Sequence, residues 1–166
     1  AELQPTGENL IHVAEIKGSN PYPSIQFIVL SDVTNPLHGP QGAAQVYAKQ
    51  KGANVTSIKQ LDKGLINMAK WLSADTPGAG AAGGLGAGAL YFLGARLEAG
   101  AEWLLNKIHI ERAIRKADFI VTGEGKIDGQ TAFGKTPSGV AKAAKEKGLL
   151  VVALCGQLGA GFEKVH

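Results

Sequence analysis

Apolar positions in this chain gather into short unbroken runs and helically spaced stripes, divided by glycine-rich and polar stretches. Ile25 to Leu30 (IQFIVL) is a run of the first kind, bounded by Pro23 and the polar SDVTNP, and it predicts a buried strand ending near Asp32. Pro40 and Gly52 then bracket a segment with the usual start and stop residues of a helix. Ser57 and Gln60 have the spacing of a capping box, and Ile58, Leu61, Leu65, Met68 and Leu72 recur at helical intervals. A run poor in side chains, Gly78 to Gly88 (GAGAAGGLGAG), leads into a buried helix over 89–96, and residues 102–117 predict one or two helices with a polar face. The remainder reads as strand 118–122, polar turn 123–128, helix 137–147 and strand 149–155. A helix between two apolar strands is a βαβ unit, which joins parallel strands by a right-handed crossover and binds ligands at their carboxyl ends. The expected class is α/β.

Composition narrows the function classes. A chain of 166 residues can bury a proper core, as one domain or parts of two, and 45% apolar with 19% charged residues excludes wholesale disorder. The net charge of +3 is small, the 17 Lys and Arg against 14 Asp and Glu are scattered, and only 6% of residues are aromatic, so no nucleic-acid partner is expected. No apolar run approaches the ~20 residues of a membrane span, and the opening AELQPTGENL has neither a basic nor an apolar leader segment. The single Cys155, set in an apolar strand, reads as a buried thiol in a reducing compartment. These features predict a cytoplasmic protein without a membrane partner and leave room for a homo-oligomer. Neither the four histidines nor Cys155 has the spacing of a zinc site. The chain opens without Met in a polar segment and stops soon after a strand-like run, so both ends read as cuts through a longer protein.

Chemistry concentrates in Asp118 to Lys145 (DFIVTGEGKIDGQTAFGKTPSGVAKAAK), where a strand runs into a glycine-rich turn and then a helix. Free backbone N–H groups and the positive end of the helix dipole make such a place favourable for anions. Gly129 to Thr136 (GQTAFGKT) fits the Walker pattern G-x-x-x-x-G-K-[ST], but the predicted strand ends at Thr122 and Pro137 follows at once, which argues against a P-loop NTPase. Gly78, Gly80 and Gly83 satisfy G-x-G-x-x-G without a preceding strand, so they suit tight packing or a glycine-lined cleft better than a dinucleotide.

Three polar or glycine-rich elements occur in order: SDVTNPLHGPQGA at 31–43, PGAGAAGGLGAG at 77–88 and TGEGKIDGQTAFGK at 122–135. Together they resemble the glycerate kinase family, which phosphorylates D-glycerate on its 2-hydroxyl, and the resemblance covers nearly the whole chain. It implies two α/β domains with the active site in the cleft between them. On that pattern residues 1–114 are an inserted α/β domain carrying the Asp-Val-Thr-Asn-Pro-Leu motif and the glycine-rich loop, and 115–166 are part of a Rossmann-like domain. The family's N-terminal strand, its Ser-Phe-Lys-Gly-Ser-like phosphate turn and its C-terminal elements are absent from the sequence.

Phosphoryl transfer to an alcohol needs a carboxylate for the hydroxyl proton, cations against the phosphates and donors for the acceptor's carboxylate. Asp32 suits the first role and matches the family's catalytic Asp, although Asp before Thr-Asn-Pro also caps turns. Asn35 holds either substrate or the turn. Glu124 and Asp128 are candidates for Mg²⁺, through water, or for the glycerate hydroxyls, and Lys126 and Lys135 for the substrate carboxylate or phosphates. Gly78, Gly80, Gly83, Gly84, Gly123 and Gly125 are expected to line the cleft. The implied cofactors are ATP and Mg²⁺. The competing reading is a non-catalytic α/β module or an inactive fragment.

Overall fold

In the computed structural model, residues 4–129 and 136–165 are described, and the chain divides into two compact units, Ala1–Glu98 and Ala99–His166. The first unit holds a parallel pair, β1 (Ile28–Leu30) and β2 (Arg96–Glu98), in the register Ile28↔Arg96, Val29↔Leu97 and Leu30↔Glu98. The Ser31 amide prolongs the ladder by donating to the Glu98 carbonyl at 2.9 Å. Strand β1 is shorter than the apolar run that predicts it, and Leu30 is exposed rather than buried. Strand β2 lies in a stretch whose sequence reads as the end of a helix. Helix α3 (Leu85–Leu93) instead stops at Gly94, whose left-handed backbone (φ 59°) turns the chain into the strand.

Between the strands, α1 (Ala43–Tyr47) tightens into a 3₁₀ turn over Lys49–Lys51 and ends at Gly52 in the left-handed region (φ 91°), the stop that its sequence predicts. Helix α2 (Val55–Met68) starts earlier than the Ser57–Gln60 spacing implies. The cap is Asn54, whose side-chain oxygen accepts from the Ser57 amide at 2.9 Å. Leu65, Met68 and Leu72 then meet Leu37, Ala43, Ala44, Ala79 and Ala87 in one buried cluster. Leu37, 0% exposed, is the centre of that packing and belongs to the DVTNPLHG segment.

The second unit contains α4 (Gly100–Lys107), α5 (Ile110–Ile114), β3 (Phe119–Ile127), α6 (Thr136–Lys145) and β4 (Leu150–Leu158). Helices α4 and α5 pack on α6, so residues 99–114 join this unit although the sequence reading places a boundary near 114. Strands β3 and β4 run parallel on either side of α6, as a βαβ unit requires.

Gly123–Ile127, read as part of a polar turn, continue β3, because they find partners in β4 at Leu154, Cys155, Gln157 and Leu158, and pairing overrides the loop-like composition. The sheet is also not buried: α6 packs against the strands, yet Phe119, Val121, Leu150, Val152 and Leu154 are exposed, and Cys155 is only half-buried. Residues paired across parallel strands share a face, so these five side chains form one uncovered apolar surface. The longer β3 also brings Gly129 to within two residues of a strand end, removing the gap that argued against the Walker pattern; residues 130–135 of that pattern lie outside the described residues.

Candidate active site

Asp32 follows the end of β1 and is exposed, at the carboxyl end of a parallel strand where open α/β sheets present ligand-binding groups. The turn around it is shaped by Ser31, whose hydroxyl donates to the Val33 carbonyl at 3.3 Å and accepts from the Val33 amide at 3.4 Å. Five residues after Asp32, Leu37 is anchored in the core, and its amide donates to the Ala74 carbonyl at 3.0 Å. The loop turns back through Gly39, whose left-handed amide donates to the Asp62 carboxylate on α2 at 3.0 Å. Asp32 is therefore carried on a short tether between a strand and a fully buried leucine.

Asn35 is committed within this loop. Its side-chain amide donates to the Gln41 carbonyl at 2.9 Å, and its side-chain oxygen accepts from the Tyr47 hydroxyl at 2.6 Å. Of the two roles open to Asn35, these bonds match holding the turn.

The glycine-rich run packs directly on the same loop. The Gly80 amide donates to the Asn35 carbonyl at 2.9 Å, and a β-carbon on Gly80 would overlap the Pro36 carbonyl. At Gly78 (φ 87°) a β-carbon would sit 3.1 Å from the Val33 carbonyl oxygen. Gly84 (φ 107°) leaves room for Leu37 and Leu65, whereas Gly83 (φ 84°) faces open space. Two of the three sequence motifs thus meet in one unit, backbone against backbone.

The third motif lies in the second unit. Glu124 is half-buried in β3 beside Cys155 of β4, and Lys126 forms an ion pair with Asp128 at 3.3 Å. Gly123 and Gly125 are strand residues; a β-carbon on Gly125 would meet nothing within 4 Å, so no close approach requires a glycine there. An extended chain rises about 3.3 Å per residue, which separates the Glu124 and Asp128 backbones by about 13 Å. That spacing does not suit direct ligation of one Mg²⁺ by both carboxylates. Lys135 lies outside the described residues. Among the described residues no cluster of three or more His, Cys, Asp or Glu is arranged for a metal.

Tyr47, Asp62 and Ser31 support the Asp32 loop, and the sequence reading names none of them. Asp62 and Tyr47 occupy ordinary helical positions, and their partners come from a loop whose path local sequence does not specify.

The glycerate kinase family model matches residues 1–166. This chain belongs to that family. A glycerate kinase of Halalkalibacterium halodurans is 47% identical over 96% of this chain and 44% of its own length. A glycerate 2-kinase of Escherichia coli is 41% identical over 83% of this chain and 38% of its own. A crystal structure described as glycerate kinase 2 from Salmonella typhimurium LT2 superposes with a TM-score of 0.70 at 35% identity, covering 93% of this chain and 45% of that one. The chain spans a little under half the length of these family members. No helix among the described residues is long and apolar enough to cross a membrane.

Proposed function

We propose that the family-length protein containing this chain transfers the γ-phosphoryl group of ATP to the 2-hydroxyl of D-glycerate, giving 2-phosphoglycerate and ADP. The observation that carries this reading is the exposed Asp32 at the end of β1, on a loop fixed by Leu37 and Gly80, in a chain of the glycerate kinase family. Asp32 orients the 2-hydroxyl and takes its proton as the new P–O bond forms, while the bond from the γ-phosphorus to the bridging oxygen breaks and ADP leaves. Lys126 and Lys135 supply positive charge for the phosphates or the glycerate carboxylate, and Glu124 binds a glycerate hydroxyl. Mg²⁺, held through water by Asp128 and by phosphate oxygens, would neutralise charge on the transferred group.

The experiment is an assay of the full-length protein with ATP, Mg²⁺ and D-glycerate, coupled to enolase alone. Enolase acts on 2-phosphoglycerate, so phosphoenolpyruvate should accumulate at once. Accumulation only after phosphoglycerate mutase is added would assign the 3-phosphate instead. The position of Gly129 just beyond β3 removes one objection to a P-loop NTPase, a reading that membership of the glycerate kinase family opposes. That reading requires ATP hydrolysis at the same rate with and without glycerate.

A further inference from the structure

We propose that Tyr47 is a positioning residue that holds the Asp32 loop through Asn35. This rests on the reading of Asp32 as the base.

The loop over 31–41 is irregular, so its path must be set by side-chain and tertiary bonds rather than by a ladder. Leu37 secures its middle in the core, and the glycine run secures its backbone through Gly80. Backbone bonds from Gly42 to the Gly39 carbonyl at 2.8 Å and from Ala43 to the Leu37 carbonyl at 3.1 Å close the part from Leu37 onward. Asn35 ties the part before Leu37 to it, by donating to Gln41 across the turn at 2.9 Å, and this requires the amide plane to face one way. The Tyr47 hydroxyl fixes that plane: it donates at 2.6 Å to the only acceptor atom of the side chain, leaving the NH₂ group toward Gln41. Tyr47 is the last residue of α1 and packs partly against the buried cluster, so its ring is held by contacts the hydroxyl does not share. A phenol of the ordinary value 10.0 is already a donor at neutral pH, and burial pushes this one further up.

Tyr47→Phe removes the bond and keeps the ring. The leucine anchor is untouched, so the unfolding midpoint should move little, while Asp32, three residues from Asn35, loses its fixed approach to the hydroxyl it activates. Small displacements of a catalytic group reduce turnover by up to about a hundredfold.

The test uses the full-length protein and measures amide hydrogen exchange over 33–41 together with glycerate-dependent kinetics. Tyr47→Phe should speed exchange in that segment and lower kcat about ten- to a hundredfold, with KM for ATP and the melting temperature near wild type. Asn35→Ala should do the same, and the double variant should be no worse than either single one, because the two act as a unit. Unchanged exchange, faster exchange with unchanged kcat, or additive losses would each overturn the proposal. A wild-type protein that does not phosphorylate glycerate would overturn the assigned reaction, and exchange alone would then decide whether Tyr47 holds the loop.

Discussion

The Gly80 amide donates to the Asn35 carbonyl at 2.9 Å, and the space a β-carbon would need at Gly80 is already filled by the Pro36 carbonyl. Gly80→Ala must therefore push the backbone of the Asp32 loop away, at a cost of about 1–3 kcal/mol. In the same run Gly88 lies inside α3 with nothing nearer than 4.0 Å to an added β-carbon, so Gly88→Ala should gain about 0.5–1 kcal/mol of helix propensity. Urea denaturation should shift the two midpoints in opposite directions with equal slopes.

Leu37 has no exposed surface and packs in the buried cluster of the first unit, so Leu37→Ala should destabilise that unit by about 2–5 kcal/mol. Because the same residue anchors the loop, turnover of the full-length protein should fall along with stability, and thermal melts run beside the assay would register both.

Asp32 is exposed, and Asp32→Asn keeps its size and one carbonyl acceptor, so the folding energy should change little. If it handles the hydroxyl proton, Asp32→Asn in the full-length protein should lower kcat about 10²- to 10⁴-fold while the circular dichroism spectrum and melting temperature stay at wild type. Near-normal turnover would assign Asp32 to the turn alone.

Tyr47 gives a stability prediction with a definite sign. Its folded pKa lies above the ordinary 10.0 because burial disfavours the phenolate, so between the two values the folded state holds a proton that the unfolded state has released. The contribution is fully present below pH 10 and is lost as pH rises through the folded pKa. Denaturation measured between about pH 9 and pH 11 should show a steeper decline for wild type than for Tyr47→Phe.

Asn54 caps α2, and Asn54→Ala should cost about 1 kcal/mol in the same denaturation assay. The capping-box spacing of Ser57 and Gln60 obscured this residue. Ser57 does take part, but through its backbone amide rather than its side chain.

That example shows how far the sequence could be read. Elements with strong local signals, such as α1 with its Gly52 stop, α6, and the apolar starts of β3 and β4, appear where periodicity puts them. Strand β2 has three residues with charged ends and exists only because β1 lies beside it. Likewise Gly123 to Ile127 have the composition of a turn and become strand by pairing with β4. In the candidate site, the glycine run could be picked out by composition and Asp32 by its match to the Asp-Val-Thr-Asn-Pro-Leu motif of the family. The bracket made by Tyr47 and Asn35 and the tether from Asp62 could not, since their partners are chosen by how the loop folds back.

The uncovered β3–β4 surface has a different consequence. Parallel strands are normally covered on both faces, and here Phe119, Val121, Leu150, Val152 and Leu154 meet water together. Patches of that kind mark either a surface that something else covers or a liability to aggregate. How this length of chain behaves on dilution or concentration is thus a colloidal matter, set by the sheet, and independent of any chemistry at Asp32.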